Sequence, residues 1–264
     1  MLKGIDISSH NGDVNMEKVK SEGIDFIIIR IGYGKNQSQI DKSFQTNYEN
    51  AIKNNIPVGI YLYSYATNIE DAEKEANLVL NNISNLKIEY PIFIDMEDSD
   101  RYKEKHNVSY NTCIDICEKF CTVIEDARYY AGIYASLDWL NNKINSSKLD
   151  RFDKWVAQWN AKCSYKKSFG MWQYSNAGKI NGITGNVDLN YALYDYPKII
   201  KNSKLNHLSN YNITYYTVTS GDNLSLIAQK FGTTWQRLYE QNKNVIGNNP
   251  DLIQIGQTLI IKKD

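Results

Sequence analysis

The chain has 264 residues, enough for one large domain or a large and a small one. Its 30 Lys and Arg balance its 30 Asp and Glu, which argues against nucleic acid or an anionic membrane as the main partner. No apolar run approaches the ~18 residues that span a bilayer, so membrane insertion is not expected. Met1-Leu2-Lys3 leads straight into Gly4-Ile5-Asp6-Ile7, which reads as a strand rather than a secretory signal. Synthesis in the cytoplasm is therefore expected, with release by another agent such as a holin.

Along the first ~195 residues, short apolar strands alternate with amphipathic segments, the pattern of an α/β domain. Strands are predicted at 3–8, 26–31, 57–65, 91–97, 131–135, 154–159, 170–174 and 186–190, with helices at 15–22, 45–54, 69–83 and 110–126. Asn68 before the third helix, with Asp71 three residues on, is an N-cap signature. After Trp159 the intervals shorten and fill with Gly, Ser and Asn, so the last strands are expected to be joined by loops and to be antiparallel or irregular. Eight strands with helices only early on predict a modified, TIM-like barrel over residues 1–196. Residues 197–213 lose periodicity and read as a linker. Residues 214–264 form a small βααβ unit, with helices at about 225–231 and 234–242 and a final strand at 258–261.

Cys113, Cys117 and Cys121 recur every four residues along one helical stripe, and Cys163 stands apart. No C-x-x-C pair occurs and His10, His106 and His207 are scattered, so zinc is not implied; the thiols read as small apolar residues. No cofactor is implied.

The chemistry concentrates in Ile92-Phe93-Ile94-Asp95-Met96-Glu97. In a strand, residues i and i+2 share a face, so Asp95 and Glu97 point the same way with backbones about 7 Å apart. Phe93 shares that face, and Ile92, Ile94 and Met96 take the other. Asp6 ends the first strand and Asp188 lies in the last; in a closed barrel those strands are neighbours, and all four acids reach one mouth. Burial and mutual repulsion should raise at least one of their pKa values. A carboxyl kept protonated near neutral pH beside one that stays charged is what glycoside hydrolysis needs. Metal binding is the rival use of four acids.

Aromatic and amide residues at the strand ends suit a sugar, whose C–H faces pack on rings while its hydroxyls seek polar groups. The candidates are Tyr61, Tyr63, Tyr134, Trp155, Gln158, Trp172 and Gln173, with Tyr65 and Trp159 on the same faces as their neighbours. Arg30, ending the second strand, is expected to pair with one of the acids and to border the substrate.

Gly4-Ile5-Asp6-Ile7-Ser8, Arg30-Ile31-Gly32-Tyr33-Gly34, Gly59-Ile60-Tyr61-Leu62-Tyr63, the Asp95–Glu97 pair, Trp155-Val156-Ala157-Gln158-Trp159, Trp172-Gln173-Tyr174 and Gly185-Asn186-Val187-Asp188-Leu189-Asn190 occur in this order. Together they resemble glycoside hydrolase family 25 over nearly all of residues 1–195. The resemblance implies a (β/α)5(β)3 barrel and a lysozyme-type N-acetylmuramidase cutting the β-1,4 bond between N-acetylmuramic acid and N-acetylglucosamine. It casts Glu97 as general acid, Asp95 as the residue that orients the substrate's 2-acetamido group, and Asp6 and Asp188 as supporting acids. It further implies retention of configuration, with the acetamido oxygen as internal nucleophile.

The tail carries Tyr216-Thr217-Val218-Thr219-Ser220-Gly221-Asp222-Asn223-Leu224 and Ile255-Gly256-Gln257-Thr258-Leu259-Ile260-Ile261 and resembles a LysM domain. By that resemblance it binds N-acetylglucosamine-containing glycans in a groove between Asp222, Asn223 and Leu224 on one loop and Asp251, Leu252 and Ile253 on another. The expected partner of both halves is peptidoglycan, and the expected setting is host lysis by a phage or prophage. A host autolysin, a chitin-type hydrolase and a non-catalytic wall-binding protein are the alternatives.

Overall fold

The computed structural model describes residues 1–208 and 212–263. The chain divides into two units, Met1–Asn206 and His207–Asp264.

In the first unit, eight strands close into a barrel in sequence order. They are β1 (Leu2–Ile7), β2 (Phe26–Tyr33), β3 (Val58–Tyr63), β4 (Ile92–Asp95), β5 (Ala131–Ser136), β6 (Asp153–Ala157), β7 (Met171–Gly178) and β8 (Val187–Ala192). Strands β1 to β7 run parallel to one another, and β8 alone is antiparallel, pairing with both β7 and β1. Of the final strands expected to be antiparallel or irregular and joined by loops, β8 is antiparallel and its pairing with β7 shifts register, whereas β7, reached through residues 158–170 without an α-helix, enters parallel to β6.

The helices are α1 (Met16–Ser21), α2 (Phe44–Lys53), α3 (Ile69–Ile83), α4 (Tyr102–Lys105), α5 (Tyr110–Asp126) and α6 (Tyr196–Asn202). Their starts follow local chemistry: the side chains of Asn15, Asn68 and Ser109 accept from the N–H groups of Lys18, Asp71 and Thr112.

Period-two alternation sorts the strand residues. Ile5, Ile27, Ile29, Val58, Ile60, Ile92, Ile94, Met96, Ile133 and Val156 point outward and share one core with the inner faces of α3 (Ala72, Ala76, Val79) and α5 (Cys113, Cys117, Cys121). All four cysteines are free thiols. The alternate residues fill the barrel: Phe93 packs on Trp155 at 5.2 Å between ring centroids, and Phe26 stacks on Tyr90 at 4.4 Å. Gly4 and Gly132 make room for them, since a Cβ there would lie 2.3 Å from the Phe26 ring and 2.5 Å from the Phe93 ring. The rings plug the lower barrel and leave polar residues for the upper end.

The expected linker 197–213 proves shorter at its start. Asp195 caps α6 through Lys198 N–H, Tyr196 and Ile200 of that helix are buried, and Asn206 is buried as well. The Asn206 amide donates to the carbonyls of Ile88 and Tyr90 and its oxygen accepts from Tyr130 N–H, tying this stretch to the bottom of the barrel. Residues 209–211 of the expected linker lie outside the described residues.

The second unit pairs β9 (Asn212–Thr217) antiparallel with β10 (Thr258–Lys263), with α7 (Leu224–Phe231) and α8 (Trp235–Ile246) between them in sequence. Val218, Leu224, Ile227, Ala228, Leu238, Ile246, Leu259 and Ile261 form its core. Buried Asn242 pins α8 to β10: its amide donates to Leu238 O and Ile260 O, and its oxygen accepts from Ile260 N–H. No helix among the described residues is long and apolar enough to cross a membrane.

Candidate active site

Inward parity brings the acids together. Asp6 and Asp188 are direct cross-strand partners on β1 and β8. Asp6 is buried, and its Oδ2 accepts from the side-chain amides of Gln173 (3.0 Å) and Asn190 (2.8 Å). Burial foremost, and then the charge of Asp188, push the Asp6 carboxyl well above its usual range. Asp188 is raised as well, mainly by burial. The interaction between the two side chains adds to the rise of Asp6 and opposes that of Asp188.

Gln173 and Asn190 hold this corner in place. Gln173 Oε1 accepts from Tyr134 OH (3.1 Å) and Trp159 Nε1 (3.0 Å), while Asn190 Oδ1 accepts from Trp155 Nε1 (2.8 Å). With each carbonyl oxygen bound to a donor, each amide must turn its NH2 toward Asp6. Asn190 was not among the candidates, although its position two residues after Asp188 places it on the same face.

On the opposite wall, Asp95 ends β4 and is buried. Its Oδ1 is buried with no hydrogen-bond partner among the described residues. Desolvation, followed by the charge of Glu97, raises its pKa well above normal, opposed by Lys103 and Arg30. Glu97, half-buried just beyond the strand, is raised chiefly by desolvation, with Asp100 and Asp188 adding to the rise and Lys103 opposing it. A half-buried carboxyl with a raised pKa next to a buried one is suited to proton donation.

The rings frame this mouth. Trp155 meets Tyr134 at 4.5 Å and Tyr61 at 6.0 Å, both edge to face. Tyr63 OH bonds Ser99 Oγ at 3.0 Å, and Tyr65 OH donates to Asp100 Oδ2 at 2.6 Å. Trp159, 59 % exposed, stands at the rim. Three candidates fall elsewhere. Arg30 pairs with Asp41 (2.7 Å) and donates to Ser9 Oγ (3.2 Å), so its carboxylate partner is none of the four acids. Gln158 lies past the end of β6 and is bound to Ser164 through both ends of its amide. Trp172 has outward parity, donates to Gln158 O, and packs near Tyr174 and Tyr191.

In the second unit, a cleft of 420 Å³ is lined by Asp222, Asn223, Leu224, Ser225, Trp235, Pro250, Asp251 and Ile253. The two expected loops thus meet, joined by Trp235, which sequence reasoning missed. Leu252 does not line the cleft and is 63 % exposed. Asp222 Oδ2 is engaged by Tyr216 OH and by the N–H and hydroxyl of Thr219, so its carboxylate shapes the turn.

Carboxylates converging with aromatic rings at the C-terminal end of parallel barrel strands make a glycosidase-type site. The chain belongs to glycosyl hydrolases family 25, whose family model matches residues 5–183, and a LysM domain matches residues 216–262. Autolytic lysozyme of Clostridium acetobutylicum is 28% identical over 189 residues, which are 71% of this chain and 55% of that protein. Lysozyme M1 of Streptomyces globisporus is 29% identical over 207 residues, 72% of this chain and 67% of that protein. The modular autolysin LytC from Streptococcus pneumoniae, solved in complex with a synthetic peptidoglycan ligand, aligns with TM-score 0.64 and 28% identity over 72% of this chain and 46% of that one. This chain therefore spans about half the length of the Clostridium and Streptococcus proteins.

Proposed function

We propose that this protein is a peptidoglycan hydrolase that cleaves the β-1,4 bond between N-acetylmuramic acid and N-acetylglucosamine. The observation that carries the reading is the unpartnered buried Oδ1 of Asp95 beside Glu97. A buried acceptor of this kind needs a donor, and a 2-acetamido N–H supplies one. With its N–H held by Asp95, the acetamido oxygen attacks the anomeric carbon as Glu97 protonates the departing glycosidic oxygen. Water then opens the cyclic intermediate, and Glu97, now ionised, takes the water's proton. The product keeps its configuration, an exception to the two-carboxylate scheme. Asp6 and Asp188 hold the far wall, and the charge of Asp188 helps keep Glu97 protonated.

Mass analysis of digested walls tests this reading. Fragments ending in reducing N-acetylmuramic acid are expected, and reducing N-acetylglucosamine ends would overturn it in favour of a chitin-type cut. NMR of the first product should show the retained anomer; the inverted anomer would exclude the acetamido route.

The LysM unit is proposed to hold the enzyme on the wall, raising its effective concentration there. Removing residues 207–264 should weaken sedimentation with walls while leaving cleavage of short soluble fragments within about twofold, since the effect acts through tethering alone. A comparable loss on both substrates would contradict independent roles.

Two settings use this chemistry, host lysis by a phage and turnover of a bacterium's own wall. The names of the Clostridium and Streptococcus relatives support the second. Deleting the gene should impair daughter-cell separation if the protein is an autolysin and leave it unchanged if it is an endolysin.

A further inference from the structure

The loop after β4 contains a buried cation that the proposed chemistry does not use. Lys103 lies on α4 and is only 3 % exposed. Its ammonium donates to the carbonyl of Ser64 (2.5 Å) and to that of Glu97 (3.0 Å). Ser64, fully buried at the end of β3, donates its N–H to Asp95 O and its hydroxyl to Glu75 Oε2 (2.7 Å). Glu75 of α3 is 1 % exposed, and its other oxygen accepts from Tyr65 N–H (2.8 Å). Lys103 therefore ties the Glu97 backbone to the exits of β3 and β4, with a buried carboxylate on its far side.

The α4 turn exists to deliver this side chain. Arg101 opens it at φ 60, and the Asp98 carboxylate accepts from the N–H groups of Lys103 (2.7 Å) and Glu104 (3.0 Å). A four-residue helix has no stability of its own, so these contacts fix it. A buried ammonium needs partners, and here they are two carbonyls and the field of three acids.

We propose that Lys103 is a positioning residue of the reaction: its ammonium fixes the Glu97 main chain and supplies a positive charge shared by Asp95, Glu97 and Glu75. This rests on the assignment of Glu97 and Asp95 above. Lys103 opposes the upward shift of both acids and of Glu75, whose own carboxyl is pushed up to about 7 by burial. The groups facing Glu97 are Asp95 on β4, Lys103 on α4, Asp188 on β8, Tyr63 on β3, Tyr134 on β5, and Ser99 and Asp100 on the intervening loop. Those facing Lys103 are Asp95 and Glu97, Glu75 on α3, Asp98 and Asp100, Cys113 and Cys117 on α5, and the Tyr63 ring at 5.9 Å. Among them Lys103 is the cation, so removing it and removing Glu75 should act in opposite senses.

The test is the pH dependence of kcat/KM on a soluble glycan fragment for the full chain and the variants Lys103→Met, Lys103→Arg and Glu75→Gln. Losing the cation destabilises ionised carboxylates, so Lys103→Met should move both limbs to higher pH by about one unit. Glu75, pushed up to about 7, carries its charge only toward and above that pH, so Glu75→Gln removes a competitor for the cation there and should move the alkaline limb down by roughly a few tenths of a unit while leaving the acid limb in place. Lys103→Arg keeps the charge and should restore the wild-type limbs even if its bulk lowers kcat about tenfold. Loss of activity with unmoved limbs, or shifts of the same sign in Lys103→Met and Glu75→Gln, overturns the proposal. If Lys103→Met fails to fold, Glu75→Gln decides alone: a downward shift of the alkaline limb supports the proposal, and an unmoved or rising alkaline limb overturns it. Glu97→Gln run alongside separates the readings, because full activity there defeats the catalytic assignment itself.

Discussion

Glu97→Gln is expected to reduce kcat about 10²- to 10⁴-fold, the usual contribution of a positioned general acid, with wall binding unchanged. The amide keeps the shape of the side chain but cannot hand a proton to the leaving oxygen. On the proposed assignment the same proton sets the alkaline limit in the wild type. Burial raises the Glu97 carboxyl, so activity should persist above the ordinary carboxylate range and fall as pH rises through its shifted value. Single-turnover release of reducing ends from soluble fragments measures both effects. Undiminished turnover in the variant would falsify the assignment.

The same substitution should stabilise the fold. A carboxyl whose pKa is raised on folding binds more protons in the native than in the unfolded state, so stability falls as pH climbs between the two values and stays low above them. Glu97→Gln removes that penalty, and above neutral pH a rise in Tm of roughly 2–4 °C for each kcal/mol relieved is expected for a barrel of this size. Below the ordinary carboxylate range the two proteins should melt together.

Asp95→Asn is the second large effect, expected to lower kcat about 10²- to 10³-fold, as for loss of one group aimed at developing charge. Asparagine can present an NH2 where the acetamido group needs an acceptor, so the nucleophile is turned rather than merely released. Substrate chemistry offers a direct check. On glycan stripped of N-acetyl groups the wild type should fall to the level of the variant. If Asp95→Asn loses activity equally on acetylated and de-acetylated glycan, Asp95 acts on something other than the acetamido group.

The strands were legible because each is an apolar run whose alternate residues face two different cores. Helices α3 and α5 were legible to the residue: Asn68 announces the first turn of α3, and in the structure Ser109 caps α5 in the same way. Helix α4 was not, since its N–H groups are held by Asp98, which precedes the helix, and four residues show no periodicity. Helix α6 was hidden by composition: only Tyr196 and Ile200 of its seven residues are buried, so a polar stretch read as linker. The acids were found by parity along strands, which also identifies Asn190 when applied one step further. Two of the candidates stood against parity. β6 stops at Ala157, so alternation does not govern Gln158, and Trp172 lies one residue off the inward set that includes Gln173. The partner of Arg30 could not be read locally, because Asp41 reaches it from a loop eleven residues away. Lys103 carries no local signal, since its meaning depends on carbonyls at positions 64 and 97.

The lone antiparallel strand has a consequence for when this protein becomes active. Asn190 and Asp6 touch across the seam that β8 closes, yet they stand 184 residues apart in the chain. Until β8 seats, Asp6 lacks the Asn190 amide and its carboxylate neighbour Asp188, and one wall of the mouth does not exist. Contacts so distant in sequence form late and slowly. A nascent chain on the ribosome can therefore build most of the barrel and still be inert, and a fragment ending before Val187 remains so. On the proposed function, catalytic competence arrives in one step, as the last strand docks.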